Sequence, residues 1–334
     1  MKEMPFKTCT IEAPCKINLH LKIGERRPDG FHSLESLFAT LAFADTLRFD
    51  RSGEEGDCSL STSAECPGEP IPPEKNLVIR AVSLFRERTG YKDGLRISLN
   101  KRIPAGAGLG GGSSDAAAAL LALNSLAGGP LSMGELSKTA AFLGSDVPFF
   151  INGGLAFVSG RGEVVEPVHF SQQLWVVLVK PPFSSDTASA YWLLDQARKD
   201  KKYEIEGKAL SKETLLHALE GDPGAWPFQN DFLPVFSGLN SGKNGDKEPN
   251  SGIYEKIPEA LRKEGALFAG LSGSGSCCFG VFPARESAES AARELIVKLR
   301  PPAAGENRES FSPGRTFFVR ATFFLARKAD PVLE

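Results

Sequence analysis

The stretch AGAGLGGGSSD, residues 105–115, is the most informative part of this sequence. It carries five glycines in the seven positions from Gly106 to Gly112, and an Ala- and Leu-rich segment follows it. We predict a helix there, capped by Ser113 or Ser114 and running to about residue 127. Glycines let a backbone approach a bulky anion, and a helix start offers unpaired N–H groups and a positive dipole end. The stretch therefore predicts a phosphate-binding loop, against the alternative of a flexible connection without a ligand.

Three common nucleotide-binding patterns do not fit this stretch. A Walker loop requires Lys-Ser/Thr after the last glycine, and neither follows. Gly106, Gly108 and Gly111 match G-x-G-x-x-G, but no acidic residue ends a second strand about 20 residues on, as a dinucleotide fold requires. The H-R-D and D-F-G motifs of protein kinases are absent from the sequence.

The segments around the loop alternate between predicted strands and helices. KINLHLKI, residues 16–23, has the period-2 pattern of a strand, which puts Lys16 and Asn18 on one polar face. A helix is predicted from the N-cap Asn76 to Thr89, with Gly90 as its stop, and another begins at Ser132. The other expectations are strands at 33–50, 95–100, 174–179 and 316–326, helices at 257–263 and 287–299, a polar surface excursion at 50–73, a charged helix or loop at 199–212 and a mobile insertion at 237–252.

Composition excludes several classes of protein. The chain has 334 residues, 39 basic against 41 acidic, with a net charge of −2, so it lacks the basic footprint of a nucleic-acid-binding protein. No run is long and apolar enough for a membrane span, and residues 1–12 lack a signal-type apolar stretch. The six cysteines include no C-x-x-C pair, which favours reduced, non-catalytic thiols without a metal. We expect a cytoplasmic protein.

PAGAGLGGGSSDAA, residues 104–117, resembles the ATP-phosphate loop of the small-metabolite kinase superfamily named for galactokinase, homoserine kinase, mevalonate kinase and phosphomevalonate kinase. Three further segments, at residues 13–38, 143–163 and 271–282, are similar to motifs of the 4-diphosphocytidyl-2-C-methyl-D-erythritol kinases within it. The four motifs follow the family's order over nearly the whole chain. An ordered set of this kind is far more specific than any single motif.

The resemblance implies an α+β fold of two domains with the active site in the cleft between them. Residues 1–170 would form an ATP-binding domain like the second domain of ribosomal protein S5, and residues 171–334 a ferredoxin-like, substrate-binding domain. ATP and Mg²⁺ would be the cofactors, with few dedicated metal ligands; Ser113 or Ser114 is a possible contact. The partners implied are small molecules, with no nucleic acid or membrane, and the chain would be a monomer or weak homodimer.

The family's motifs also imply roles for individual residues. Asp146, in a G-x-D-x-P motif, would be the base, and Lys16, in P-x-K-x-N, would orient it and contact the substrate. Taken alone, Asp146 fits a turn or helix cap and Lys16 a solvated strand face better than a catalytic role, and only the joint set of motifs favours catalysis. The implied ATP-binding residues are Pro104, Ala105, Gly106, Ala107, Gly108, Leu109, Gly110, Gly111, Gly112, Ser113, Ser114, Asn76 and Lys101. The implied substrate-binding residues are Asn18, Phe31, His32, Thr187, Tyr191, Ser272, Gly273, Ser274 and Gly275.

The implied function is phosphorylation of the 2-hydroxyl of 4-diphosphocytidyl-2-C-methyl-D-erythritol by ATP, in the non-mevalonate route to isoprenoid precursors. His32 would bind the cytosine, with Phe31, where tyrosine is usual, and Tyr191 as aromatic faces. Two rival functions are another kinase of the superfamily, such as homoserine or mevalonate kinase, and a catalytically silent ligand sensor. The DGFH segment, residues 29–32, argues against the first, and the presence of Lys16 and Asp146 against the second.

Overall fold

The structure is a computed structural model, and it describes residues 7–52, 54–65, 72, 76–199, 210–238, 252–299 and 317–334. Its strands are β1 Thr8–Arg26, β2 His32–Ser52, β3 Cys58–Ala64, β4 Gly94–Lys101, β5 Leu155–Ser159, β6 Val164–Val168, β7 Trp175–Lys180, β8 Phe268–Leu271, β9 Cys278–Phe282, β10 Phe318–Phe323 and β11 Val332–Leu333. Its helices are α1 Leu77–Thr89, α2 Gly111–Leu126, α3 Met133–Ala140, α4 Val147–Asn152, α5 Thr187–Lys199, α6 Lys212–Glu220, α7 Phe232–Gly238, α8 Ile253–Lys263 and α9 Arg285–Lys298. The predicted α+β class is confirmed.

Two long antiparallel strands form the centre of the first sheet. β1 has 19 residues and β2 has 21. Their pairing shifts register between Pro14 and Lys16 and again between Asn18 and His20, and such irregularities re-aim side chains. Over the described residues the sheet has seven strands, in the order β11–β1–β2–β4–β3, with β5 on β2 and β6 on β5. Lys16 and Asn18 thus lie in the short part of β1 between these two register shifts.

Helix α2 follows the glycine-rich loop and lies in the core. Every residue from Ser114 to Leu123 is buried, as expected for a helix that is apolar on all sides. The predicted cap at Ser113 or Ser114 is wrong, because Gly110, in a left-handed conformation at φ 70°, occupies the N-cap position. Three consecutive glycines let the helix begin earlier than a serine cap would place it.

The second sheet is antiparallel, with four strands in the order β10–β7–β9–β8 over the described residues. Helices α8 and α9 pack on it. Its buried residues join those of the first sheet and α2 in one hydrophobic cluster, in which Val177 of β7 and Leu295 of α9 belong with Phe49 of β2. The two halves of the chain are therefore joined by packed apolar side chains as well as by the connecting segments.

Local signals predicted some boundaries correctly and others not. α1 begins after Asn76, whose side chain accepts from the Val78 N–H, and ends at left-handed Gly90, as predicted. Residues 50–73 are not simply a surface excursion, because β3 lies within them and pairs in parallel with β4. The predicted segments 199–212 and 237–252 fall mostly outside the described residues.

The end of the described chain returns to the first sheet. In β11, Val332 and Leu333 pair with Thr10 and Cys9 of β1. The Leu325 N–H also donates to the Thr40 carbonyl at 2.9 Å. The first sheet is thus completed by residues from the far end of the sequence. Among the described residues, no helix is long and apolar enough to cross a bilayer.

Candidate active site

A cavity of about 710 Å³ lies between the glycine-rich loop, β1 and α5. Its wall takes residues from both halves of the chain. The predicted site residues that line it are Lys16, Asn18, Asn76, Lys101, Pro104, Ala105, Gly106, Ala107, Gly108, Leu109, Gly110, Gly111, Gly112, Ser113, Asp146, Thr187, Tyr191, Gly273 and Ser274. The structure therefore brings together, at one cavity, six stretches of the chain that lie apart in the sequence.

The chemical centre of this cavity is an ion pair. Lys16 Nζ lies 3.4 Å from Asp146 Oδ2 and 2.6 Å from Asn18 Oδ1. It also lies 4.4 Å from the centroid of the Phe38 ring. The Lys16 side chain is 5% exposed and that of Asp146 is 33% exposed. A buried ammonium thus holds in place a carboxylate that faces the cavity, where a ligand hydroxyl has access to it.

Lys16 and its side-chain partner Asn18 are both fixed. The backbone N–H of Lys16 donates to the Leu109 carbonyl at 2.9 Å, which ties β1 to the glycine-rich loop. Asn18 Nδ2 donates to Ser36 Oγ at 3.0 Å, and Ser36 in turn bonds the His20 carbonyl. Asp146 occupies the N-cap position of α4, with Pro148 in the first helical turn. Both charges are therefore carried by rigid elements, as catalytic groups require.

The glycine-rich loop is packed against residues 272–276. Ser272 Oγ donates to the Gly108 carbonyl at 2.8 Å, and the Cys277 N–H donates to the Ala107 carbonyl at 3.1 Å. Gly108 has φ 71°, and a Cβ there would overlap the carbonyl oxygen of Ser272. The glycine at 108 is thus required by a neighbouring loop as well as by its own backbone conformation.

A buried charge cluster lies beneath the start of α2. Lys101 Nζ donates to Asp115 Oδ2 at 2.6 Å and to Asp45 Oδ2. Asp45 Oδ1 accepts from the N–H groups of Arg102, at 2.5 Å, and Ile103, at 2.8 Å. Because an ammonium has three N–H groups, one more remains for a ligand in the cavity that Lys101 lines.

Burial and charge act in opposite directions on this cluster. Burial disfavours the charge of Lys101, but Asp115 and Asp45 outweigh that effect and raise the pKa of Lys101 above its ordinary value. Burial raises the pKa of Asp115 to about 7; Lys101 opposes the shift and Asp45 adds to it. Asp115 Oδ1 and Ser114 Oγ are buried and find no hydrogen-bond partner among the described residues.

Two of the three residues predicted to bind the cytosine, His32 and Tyr191, contact each other. His32 Nε2 lies 2.8 Å from Asp195 Oδ1, and its ring stacks on that of Tyr191 with centroids 4.9 Å apart. Phe31 is 52% exposed and has the guanidinium of Arg161 5.1 Å from its ring centroid. Burial, and then the charge of Asp146, raise the pKa of Tyr191 to about 12, so its hydroxyl stays protonated near neutral pH.

Five predicted site residues are not part of the cavity wall. They are Ser114, Phe31, His32, Ser272 and Gly275. Ser114 is buried within α2, and Ser272 lies behind the glycine-rich loop, which it supports. The Tyr191 ring stacks over His32. The structure therefore does not place these five residues at the surface of the cavity.

Comparison with known proteins agrees with this geometry. Family models match residues 76–154 as "GHMP kinases N terminal domain" and residues 249–298 as "GHMP kinases C terminal". The 4-diphosphocytidyl-2-C-methyl-D-erythritol kinase of Chlorobaculum tepidum is 37% identical over 300 residues, 88% of this chain and 96% of that protein. The chain belongs to this kinase family. A crystal structure of 4-(cytidine 5'-diphospho)-2C-methyl-D-erythritol kinase has a TM-score of 0.70 at 30% identity, covering 94% of this chain and 99% of that one.

A chloroplastic 4-diphosphocytidyl-2-C-methyl-D-erythritol kinase of Oryza sativa subsp. japonica is 38% identical over 271 residues. The match covers 80% of this chain, which spans 63% of that relative's length. The family resemblance predicted from the four motifs is thus confirmed.

Several residues at the kinase site lie outside the predicted set. Asp115 directly follows the two serines, and its charge beside a glycine-rich loop was a visible signal. Phe38 and Asp45 lie in β2, where nothing in an apolar strand marks them. Thr62 of β3 also lines the cavity, but the polar composition of residues 58–64 does not indicate a strand. Asp195 becomes recognisable only once α5 is placed beside His32.

Proposed function

We propose that this kinase transfers the γ-phosphoryl group of ATP to the 2-hydroxyl of 4-diphosphocytidyl-2-C-methyl-D-erythritol. The observation that carries the proposal is the Lys16–Asp146 pair, 3.4 Å between Nζ and Oδ2, in the wall of the cavity that the glycine-rich loop also lines. Phosphoryl transfer to an alcohol requires donors for the nucleotide phosphates and a group that orients or deprotonates the hydroxyl. One cavity supplies both.

In this proposal Asp146 accepts the proton of the 2-hydroxyl as its oxygen attacks the γ-phosphorus. The bond from that phosphorus to the β–γ bridging oxygen breaks, and ADP leaves with the electron pair. Lys16 orients the Asp146 carboxylate through their ion pair. Its positive charge also lies next to the reacting oxygens, where negative charge is transferred.

The nucleotide phosphates would bind at the glycine-rich loop and the start of α2. Gly106, Gly108 and Gly110 all have positive φ, so backbone N–H groups take orientations that ordinary residues rarely allow. The first turn of α2 adds unpaired N–H donors and the positive end of the helix dipole. The remaining N–H of Lys101 and the neighbouring Asn76 would contact the nucleotide on the β4 side of the cavity.

Mg²⁺ would serve to neutralise the nucleotide phosphates. Among the described residues, no group of three or more His, Cys, Asp or Glu side chains is placed to hold a metal ion. Of the two serines, Ser113 lines the cavity and would be the one to contact the hydrated ion, whereas Ser114 Oγ is buried behind the cavity wall. The phosphates themselves would provide the other ligands.

Three expectations remain predictions. They are the division of the chain near residue 170, the cytoplasmic location and the monomeric or weakly dimeric state. The pairing of β11 with β1 bears on the first of these, since the ATP-binding half also includes residues from the far end of the sequence.

An ADP-release assay with Mg-ATP tests the proposed reaction. The full chain is given the cytidine diphosphate methylerythritol, homoserine, mevalonate or galactose as acceptor. Turnover with the cytidine acceptor alone supports the proposal. Turnover with another acceptor would assign the chain to a different reaction, and nucleotide binding without any turnover would make it a ligand sensor.

A further inference from the structure

A buried cluster beside the cavity takes no part in the proposed transfer. His32 of β2, Tyr191 of α5 and Asp195 of α5 form it. His32 Nε2 lies 2.8 Å from Asp195 Oδ1, and the His32 and Tyr191 rings stack at 26° with centroids 4.9 Å apart. The His32 side chain is 5% exposed and that of Asp195 is 22% exposed. The two elements are thus joined by a short polar contact that is largely sheltered from solvent.

The contact decides which imidazole nitrogen carries hydrogen. An ionised carboxylate only accepts hydrogen bonds, so the 2.8 Å contact places the hydrogen on Nε2. In the neutral ring the other nitrogen, Nδ1, is then an acceptor. Among the described residues no donor is bonded to Nδ1. Asp195 therefore gives His32 a defined acceptor nitrogen that is still unused.

We propose that Asp195 is a positioning residue that makes the site select cytosine over uracil by fixing this tautomer of His32. Cytosine carries an amino donor at the ring position where uracil carries a carbonyl acceptor. An acceptor Nδ1 bonds the amino group and repels the carbonyl oxygen. The inference rests on the proposed cytidine acceptor and adds to it the source of base selectivity.

Tyr191 is placed to take part in base binding. It lines the cavity, whereas His32 does not, because the two rings are stacked together. A base that bonds Nδ1 lies edge-on to the imidazole, because the lone pair of this nitrogen is in the ring plane, so the stack of His32 on Tyr191 can stay in place. The edge contact of Tyr191 with Phe232, at 5.1 Å between centroids, also holds the Tyr191 ring.

Calorimetric titration of the full chain with CDP and with UDP at pH 8 tests the inference. Adenylyl imidodiphosphate saturates the nucleotide site, so that both pyrimidine diphosphates report on the acceptor site. We expect wild-type protein to bind CDP at least about tenfold more tightly than UDP, because CDP gains one hydrogen bond where UDP meets one repulsive contact. In Asp195→Asn and Asp195→Ala the ratio should fall to within about threefold, because an amide accepts from or donates to Nε2 and alanine does neither.

Two controls separate tautomer selection from a structural effect. Glu259→Gln removes a carboxylate from the exposed face of α8, and it should keep the wild-type ratio. ¹⁵N NMR of the His32 ring should show hydrogen on Nε2 in wild type and a mixture of tautomers in Asp195→Asn, with no ligand present.

Each outcome has one meaning. An unchanged CDP-to-UDP ratio in the Asp195 variants would overturn the inference, as would equal weakening of both ligands, which a merely structural role predicts. Equal binding of CDP and UDP by wild-type protein would also overturn it. Wild-type protein that binds neither ligand would instead contradict the proposed cytidine acceptor.

Discussion

Lys16 shows how a single residue can be both structural and chemical. Its ammonium is buried against Phe38 and has oxygen partners on Asn18 and Asp146. A buried charge without such partners would cost several kcal/mol. The ion pair therefore compensates the buried charge of Lys16 in the folded protein. In the proposed reaction it also holds the carboxylate that receives the hydroxyl proton.

Replacing Asp146 by asparagine removes the proton acceptor and keeps the shape of the side chain. We expect kcat to fall by about 10²–10⁴, the usual contribution of a general base, because the amide oxygen cannot take the proton. The Kd for ATP should stay within about twofold of wild type. Steady-state kinetics and nucleotide titration measure the two quantities, and retained turnover would remove Asp146 from the mechanism.

At the next scale, the glycine-rich loop depends on a second loop. Gly108 and Gly90 both have positive φ, 71° and 70°. A Cβ at Gly108 would overlap the Ser272 carbonyl oxygen, whereas a Cβ at Gly90 would meet nothing within 4 Å. The two positions form a matched pair that differs in available space.

Gly90→Ala should lower the free energy of unfolding by about 1 kcal/mol, the cost of a left-handed alanine. Gly108→Ala should lower it by about 3 kcal/mol or more and also weaken ATP binding, because the two loops must separate. Urea unfolding and nucleotide titration measure both effects. Equal destabilisation by the two variants would show that the loop contact is not tight.

The charge cluster under α2 makes stability depend on pH. The pKa of Asp115 is about 7 in the folded protein, above the 3.8 of a free side chain, because burial disfavours its charge. Its contribution to stability is therefore complete below about pH 4 and is lost as pH rises through about 7. Asp115→Asn should show a smaller loss of unfolding free energy than wild type between pH 4.5 and 7.5 in urea titrations. Parallel curves would show that the carboxyl titrates normally.

Sequence predicted the elements that carry local signals and missed some of those defined only by pairing with distant residues. α1 was predictable because Asn76 and Gly90 are its own caps. β3 was not, because most of its residues are exposed and what defines it is pairing with β4, some 35 residues along the chain. Strand alternation placed Lys16 and Asn18 on one face, and the family motifs implied their roles, but the contact of Asp195 with His32 required the placement of α5.

At the scale of the molecule, the two sheets share one apolar cluster and the first sheet needs the end of the described chain. The tail 325–334 bonds Thr40 through Leu325, bonds the Asn152 carbonyl through the Lys328 N–H at 3.2 Å, and places β11 beside β1. Pairing with β11 gives hydrogen-bond partners to backbone groups near Cys9 and Thr10, which would otherwise be unpaired at the edge of the sheet.

Deleting residues 325–334 should lower Tm by about 5 °C or more, because these backbone bonds and the cover of β1 are lost together. Calorimetry should still show one transition, since the shared cluster couples both halves. Arg327→Ala, a change of an exposed side chain in the same tail, should leave Tm almost unchanged. Two separate transitions in the truncated chain would contradict the coupling.

The contact between the glycine-rich loop and residues 272–276 also has a thermodynamic consequence. Asn230 Nδ2 holds the second loop through the carbonyls of Leu271, at 2.8 Å, and Gly273, at 2.9 Å, and residues 229–231 are bonded to β1. Whatever orders one loop therefore reduces the freedom of the other. Under the proposed function, the nucleotide and the acceptor are linked ligands, and each must change the affinity of the other by the same factor.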